Sequence, residues 1–413
     1  MVQGSGLLNR ARRKTGRGFE SHTLRHDMDY KEASVKKHRE TGGKIEVVSK
    51  FGKLETRDDL SVAYTPGVAA VSELLAKEPQ KADEYSIKGN TIAVISDGSA
   101  VLGLGNIGPY GALPVMEGKA LLFKEFGGVD AYPIVLNTQN TEEIIQIVKA
   151  ISPTFGGINL EDISAPRCFE VEERLIKELS IPVFHDDQHG TAIVILAALI
   201  NSLKLTERKK ENTRIVICGS GAAGIATAKL LHKYGVGEIV LVDSKGIVSK
   251  NRGGLNEVKK KMLKITNPRN INGELKDALI DADVFIGVSV AGILKPEYIK
   301  IMVEKAVIFA MANPTPEIMP EEAKEAGAFI VGTGRSDFPN QINNVLVFPG
   351  LFRGLLDNKI KVVTDDIKIA IAETLANYIT KNELSVDRIL PSVLDKNVSK
   401  EVAQILGRFN QSY

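Results

Sequence analysis

The chain has 413 residues, a length that predicts two domains, or three, rather than one. Apolar residues make up 43% and charged residues 25%, and 53 basic against 51 acidic side chains leave +2, which excludes a polyelectrolyte and gives no ground for a nucleic-acid surface. Two cysteines, Cys168 and Cys218, exclude a disulfide scaffold and a cysteine-rich zinc site and point to a reducing, cytoplasmic setting.

Residues 1–27 carry six Lys/Arg against two acids, and without them the balance is −2, from 47 basic and 49 acidic residues. They hold no long apolar core, so they are neither a secretory signal nor a membrane span. They read as an unstructured basic arm or a non-native leader, with organelle targeting the weaker alternative. An amphipathic helix follows over 28–40, then a short strand at 44–50. Residues 61–78 contain a Pro66-Gly67 turn and a helix-like run. Strands over 91–96 and 132–136 flank a helix at 115–126. A helix at 141–151 starts behind Thr141, with Glu142 and Glu143 in its first turn, where acids suit the dipole. Next come an extended piece at 156–160, a helix at 167–179 and a strand at 182–184.

The apolar run 190–203 is too short to span a membrane and reads as a buried helix. The polar patch 206–213 is the clearest linker-like segment. Beyond it, strands at 214–218, 239–242, 284–288, 307–311 and 328–331 are mostly continuous in apolar character, as in a parallel sheet covered on both faces. The last fifty residues are mostly helical, most clearly over 366–379.

Residues 214–243 carry a specific pattern. Strand 214–218 runs into Gly219-Ser220-Gly221-Ala222-Ala223-Gly224, which opens a helix, and the next strand ends at Asp243. Gly219 permits the tight turn, Gly221 clears room for a pyrophosphate, and Gly224 lets helix and strand pack closely. Asp243 is placed to accept both hydroxyls of an adenosine ribose, which favours NAD slightly over NADP, although Lys245 partly offsets its charge. A second glycine run, Gly103-Leu104-Gly105-Asn106-Ile107-Gly108, has the same spacing. Pro109 and Pro114 follow it, so it reads as an active-site loop without an immediate long helix.

Two acidic pairs, Glu161-Asp162 and Asp186-Asp187, lie near strand ends. Carboxylates gathered in a cleft need a cation, and Mg²⁺ or Mn²⁺ is the economical choice. His185 and His189 keep zinc or iron as the alternative, and a solvated turn or helix cap is the bland reading of either pair alone. Lys119, in an apolar run, either snorkels to solvent or is held in a cleft where desolvation and a metal lower its pKa. Tyr64 stands before a rigid turn, where a core role is the simpler reading. Asn313, Asn343 and Asn344 follow strands and suit either turns or contacts to substrate and nicotinamide.

Together these residues resemble the malic enzymes, in the short microbial form that lacks the acyltransferase-like domain fused to the long bacterial form. The matching stretches are SVAYTPGVA (61–69), SDGSAVLGLGNIGPYGALPVMEGKALLFK (96–124), PTFGGINLEDI (153–163), PVFHDDQHGTA (182–192), CGSGAAGIA (218–226), ANPTPEI (312–318) and GTGRSDFPNQINNVLVFPG (332–350). The resemblance implies an α/β chain: an N-terminal substrate and metal domain over 28–188, then a Rossmann-type doubly wound dinucleotide-binding domain over 189–413. It implies oxidative decarboxylation of malate to pyruvate with reduction of NAD or NADP, decarboxylation of oxaloacetate, and a homodimer or higher homo-oligomer joined through 28–80. Tyr64 becomes the general acid and Lys119 the general base. Glu161, Asp162 and Asp187 become ligands of Mg²⁺ or Mn²⁺, and Asp186 orients Lys119 or the metal shell. Asn313 and Asn344 become substrate contacts. One departure stands out: Ser99-Ala100-Val101 occupies the place where the large eukaryotic form has a carboxylate-binding arginine. The alternatives are a metal-assisted 2-hydroxyacid or amino-acid dehydrogenase that releases no CO₂, and a non-enzymatic nucleotide sensor.

Overall fold

A computed structural model describes residues 30–409. The leader expected over 1–27 lies outside the described residues. The chain divides into two units, Met1–Lys44 and Ile45–Tyr413. In the first, α1 (Tyr30–Thr41) is a polar helix with no buried residue, close to the range expected from the sequence.

In the second unit, α2 (Arg57–Ala63), α3 (Val68–Lys77) and α4 (Ala82–Tyr85) come first, and no residue from 45 to 90 is fully buried. The strand expected at 44–50 does not form: its apolar side chains Ile45, Val47 and Val48 are exposed, and no strand pairs with it. An extended segment without a ladder partner gains nothing from β geometry. α2 was not expected. Thr56 and Asp59 close a reciprocal capping box at its start, a local signal that four residues of pattern conceal.

The two sheets follow from apolar runs with two faces to bury. β1 (Thr91–Ser96), β2 (Asp130–Val135), β3 (Gly157–Leu160) and β4 (Val183–His185) form a parallel sheet ordered β2-β1-β3-β4. β5 (Arg214–Cys218), β6 (Glu238–Asp243), β7 (Gly246–Ile247), β8 (Val284–Gly287), β9 (Val307–Ala310) and β10 (Ile330–Thr333) form a second, ordered β10-β9-β8-β5-β6-β7 and parallel except at β7. That is the doubly wound order, with its reversal between β5 and β8, where such sheets bind nucleotides. The last strand was expected two residues earlier.

In the first sheet, α5 (Gly108–Gly127), α6 (Thr141–Ile151) and α7 (Arg167–Glu178) make the crossovers, and α8 (Asp186–Thr206) leaves β4. In the second, α9 (Ala222–Tyr234), α10 (Glu257–Met262), α11 (Leu275–Leu279), α12 (Pro296–Ile299) and α13 (Pro320–Glu325) lie between strands, and α14 (Phe348–Asp357), α15 (Asp365–Tyr378) and α16 (Lys396–Leu406) follow them. α8 joins the halves. It has 21 residues, longer than the run expected, and its length and hydropathy would suffice for a membrane, but 78% of its apolar stretch is buried. Around it one core takes in Ile92 and Val94 from β1 and Ile215 and Ile217 from β5. Their neighbours Ala93, Ile95 and Val216 face separate cores on the far sides of the sheets, as the two-residue period of a strand requires.

Two details correct the sequence reading. The cap of α6 is Asn140 rather than Thr141, its side chain accepting from the amides of Glu142 and Glu143. The second glycine run does open a long helix, because Pro109 sits in the first turn of α5, where its missing N–H costs nothing, and Pro114 is accommodated inside.

Candidate active site

Both acidic pairs singled out in the sequence stand at the carboxyl ends of strands of the first sheet. Glu161 and Asp162 follow β3, and Asp186 and Asp187 open α8 directly after β4. Lys119 reaches the same point from α5. Its Nζ lies 2.6 Å from Asp186 Oδ2 and 2.9 Å from Glu161 Oε1, and 4.1 Å from the centre of the Phe348 ring. Asn159 donates to Glu161 Oε2 at 2.9 Å, and the Asp162 amide donates to Asp187 Oδ2 at 2.6 Å. Gly190 is obligatory here: a Cβ would stand 1.9 Å from Asp186 Oδ1 and 3.2 Å from Asn344 Cβ, so the missing side chain is what seats Asn344 against α8.

Burial sets the electrostatics. It pushes Glu161 and Asp186 up to about 7, Asp162 to about 9 and Asp187 to about 6, with mutual repulsion adding to it. Burial alone would lower Lys119, but Asp186 and Glu161 outweigh it and hold the ammonium charged, its pKa above the ordinary value. The lowered Lys119 pKa expected from the sequence is therefore reversed in the cluster as it stands. The side chain is held in the cleft and does not snorkel.

Among the described residues, no three His, Cys, Asp or Glu side chains converge at metal-ligand spacing. Lys119 fills the space between two carboxylates, and Asp187 is turned toward a backbone amide. The donor set nevertheless suits a hard cation. Asp162 Oδ2 and Asp186 Oδ1 are buried without a hydrogen-bond partner, and carboxylate oxygen is what Mg²⁺ and Mn²⁺ take. His185 is buried and pushed down to about 4 by desolvation, a neutral imidazole packed behind the acids.

Tyr64 is not among the groups around Lys119. It caps the carboxyl end of α2 and is 67% exposed. Near the missing arginine of the large form, Arg167 donates to Asp97 at 2.7 Å, Ser99 at 2.9 Å and Ser164 at 3.2 Å, a cation on this loop that sequence reading did not find.

The dinucleotide loop has the expected form. Gly219 follows β5 with φ +114°, and a Cβ on Gly224 would stand 1.8 Å from the Gly219 carbonyl. Ser220, Ala222 and Ala223 are partly exposed, Gly221 faces open space, and α9 starts without a side-chain cap, its amides free for an anion. Asp243 ends β6, but its carboxylate is not free. Arg252 grips it from two nitrogens at 2.8 and 2.6 Å, and Lys259 adds a contact at 2.5 Å. Burial works against the charge, yet these bonds hold the Asp243 carboxyl well below its usual range.

At the other strand ends, Asn313 is exposed, while Asn343 Oδ1 caps a short turn by accepting from the Val345 amide. Gly103 of the second glycine run presses against the Asn313 carbonyl, 2.0 Å from where a Cβ would be, so that loop meets the β9 loop. Glu317, also missed in the sequence, ties two of these loops together: its buried carboxylate accepts from the Ser289 and Ala312 amides, both at 2.9 Å. An acid five residues beyond Ala312 gives no pattern that separates it from a surface glutamate.

Comparison with known proteins agrees with this geometry. The N-terminal domain family of malic enzymes matches residues 43–176, and the malic enzyme NAD binding domain family matches residues 188–409. The chain is 54% identical to the bifunctional malic/malolactic enzyme of Bacillus subtilis, over 92% of this chain and 93% of that protein. It is 56% identical to the NAD-dependent malic enzyme of Geobacillus stearothermophilus, over 88% of this chain and 76% of the relative. The crystal structure of the NAD-dependent malic enzyme from Thermotoga maritima superposes with a TM-score of 0.87 at 51% identity, covering 91% of this chain and 98% of that one. Two family domains in the expected order, over a site whose lysine and carboxylates meet as the motifs require, establish that the chain belongs to the malic enzyme family.

Proposed function

We propose that the chain oxidises malate with NAD(P)⁺ and decarboxylates the product to pyruvate and CO₂, using a divalent metal, and that it also decarboxylates oxaloacetate. The observation that carries this reading is the Lys119 ammonium held between Asp186 and Glu161 at the strand ends that face the dinucleotide-binding half. Residues 28–188 are read as the malate- and metal-binding part and 189–413 as the dinucleotide-binding part.

Glu161, Asp162 and Asp187 are the ligands proposed for Mg²⁺ or Mn²⁺. A bound ion would supply Lewis acidity and would offset the negative charge that holds Lys119 protonated. Lys119 then accepts the C2 hydroxyl proton as malate gives up hydride to the nicotinamide. Asp186 orients that lysine through the 2.6 Å contact. Asn313 and Asn344 fix the substrate carboxylate, and Asn313 and Asn343 the nicotinamide amide. Gly219 through Gly224 receive the pyrophosphate. At the ribose, two cations against one carboxylate leave room for a 2′-phosphate, so both NAD and NADP are accepted.

Tyr64 is the acid that protonates C3. Its segment needs a partner: Phe51, Leu54, Leu60, Val62 and Tyr64 are all exposed, an apolar surface that a homodimer through the 28–80 region would cover. Two free buried cysteines accord with a cytoplasmic setting. The test is an initial-rate assay with malate and Mn²⁺ comparing NAD with NADP. Equimolar CO₂ and pyruvate support the reading, and a 2-keto acid without CO₂ refutes it.

A further inference from the structure

The buried stripe of α7 is Cys168, Val171, Glu172 and Leu175, the spacing of a helix face turned to the core. An acid in such a stripe is expensive. Glu172 is only 6% exposed, and it stands near the acids of the first turn of α8, whose charges oppose its own. Something must repay that cost.

Its partners show what does. Oε1 accepts from the His185 amide at 2.9 Å, and Oε2 accepts from Gln188 Nε2 and His189 Nε2, both at 3.0 Å. All three donors belong to the start of α8, which has His185 at its N-cap and no capping bond from its own side chains. Burial opposes ionisation of Glu172, but His189 and these bonds hold it at about 2, so it is a carboxylate and His189 Nε2 carries the proton. A helix that lacks its own cap is thus capped from its neighbour.

Between those three anchor points lie Asp186 and Asp187. Successive residues on a helix point about 100° apart, so rotating or fraying this turn redirects both carboxylates at once. We propose that Glu172 is a positioning residue for the metal site: by tying the first turn of α8 at His185, Gln188 and His189, it aims Asp187 at the ion and Asp186 at Lys119. The proposal rests on Asp187 being a metal ligand.

The experiment is a Mn²⁺ titration of the full chain, following free Mn²⁺ by electron paramagnetic resonance, with NADH binding by fluorescence as the control. Glu172→Gln puts an NH₂ against donors and should weaken Mn²⁺ tenfold or more, as loss of a partner behind a ligand does, with NADH affinity within twofold of wild type. Mn²⁺ affinity within twofold of wild type overturns the proposal, and so does an equal loss of both ligands, which marks general loosening. Should that variant not fold, Gln188→Leu and His189→Phe each remove one anchor and should weaken Mn²⁺ at least threefold; no change in either overturns it. Asp187→Ala separates the two readings. Unchanged Mn²⁺ binding there refutes the ligand assignment, whereas loss there with an unchanged Glu172→Gln refutes only the role of Glu172.

Discussion

Replacing Asp187 by Asn should make the metal-free protein more stable at pH 8 while abolishing its response to Mn²⁺. Burial holds Asp187 at about 6 against an ordinary 3.8, a difference worth about 3 kcal/mol of penalty when the group is ionised. About a third of its side chain, 32%, still meets solvent, and screening reduces the gain to roughly 1–2 kcal/mol. Asn keeps an amide oxygen to accept from the Asp162 amide, so the local hydrogen bond survives. The sign follows from the direction of the shift. A carboxyl whose folded-state pKa lies above its unfolded value costs nothing well below about pH 4, and the cost builds as pH rises from about 4 to about 6 and is constant above that. The advantage of Asn should therefore be full at pH 8, halve at about pH 5 and fade out below about pH 4. Thermal melts in chelator read it as a rise of roughly 1–2 °C at pH 8. An Asn variant no more stable than wild type at pH 8, or an advantage that grows on acidification, refutes the reasoning.

Lys119→Ala should remove malate oxidation by at least a hundredfold and spare much of the decarboxylation of added oxaloacetate; loss of both half-reactions would make Lys119 structural. Arg252→Ala combined with Lys259→Ala should lower kcat/KM for NADP at least about 100-fold, since charge-assisted bonds contribute about 1.5–3 kcal/mol each, while NAD changes by less than about threefold. An unchanged NADP-to-NAD ratio sinks the charge argument. Tyr64→Phe should slow proton exchange at C3 of pyruvate at least tenfold, and an unaltered exchange rate would leave the tyrosine without a role. Leu60→Asp with Val62→Asp should shift the protein to monomer in sedimentation, and an unchanged mass would show that the 28–80 region is not the contact.

The sequence made most of the parallel strands legible because both their faces are buried, so apolar content marks them without alternation. Lys119 could be chosen because a charged side chain in an apolar run is rare, and Glu161 and Asp186 because they belong to acidic pairs near strand ends. What it concealed depends on distance in space. Glu172 sits in an acid-rich helix, FEVEER, where nothing local separates it from Glu173, and only the docking of α7 against α8 makes it a cap. Arg252 and Lys259 lie 9 and 16 residues beyond Asp243, and the fold of the intervening chain brings them back to it. The strand expected at 44–50 failed for the opposite reason: its pattern was right locally, but no strand among the described residues pairs with it.

The two halves of the chemistry are fixed to each other by contacts that tolerate no side chain. Gly190 brings Asn344 against the turn bearing Asp186, and Gly103 brings the loop after β1 against the carbonyl of Asn313. One contact joins the strand ends of the first sheet to the loop after β9 and the other to the chain just beyond β10, and α8 runs between the sheets as a shared core helix. Hydride transfer needs the nicotinamide within about 3–3.5 Å of the substrate carbon. A substrate held at the carboxylates and a cofactor held at Gly219–Gly224 can keep that distance only if the sheets do not slide. A methyl at either glycine would enter space held by Asp186 Oδ1 or the Asn313 carbonyl and push the halves apart by more than that tolerance. Gly190→Ala or Gly103→Ala should thus depress kcat by more than about tenfold while dinucleotide affinity, which rests mainly on the Gly219–Gly224 loop, changes far less. Weakened NADH binding in both variants would show that the two sheets are not held in register by these contacts.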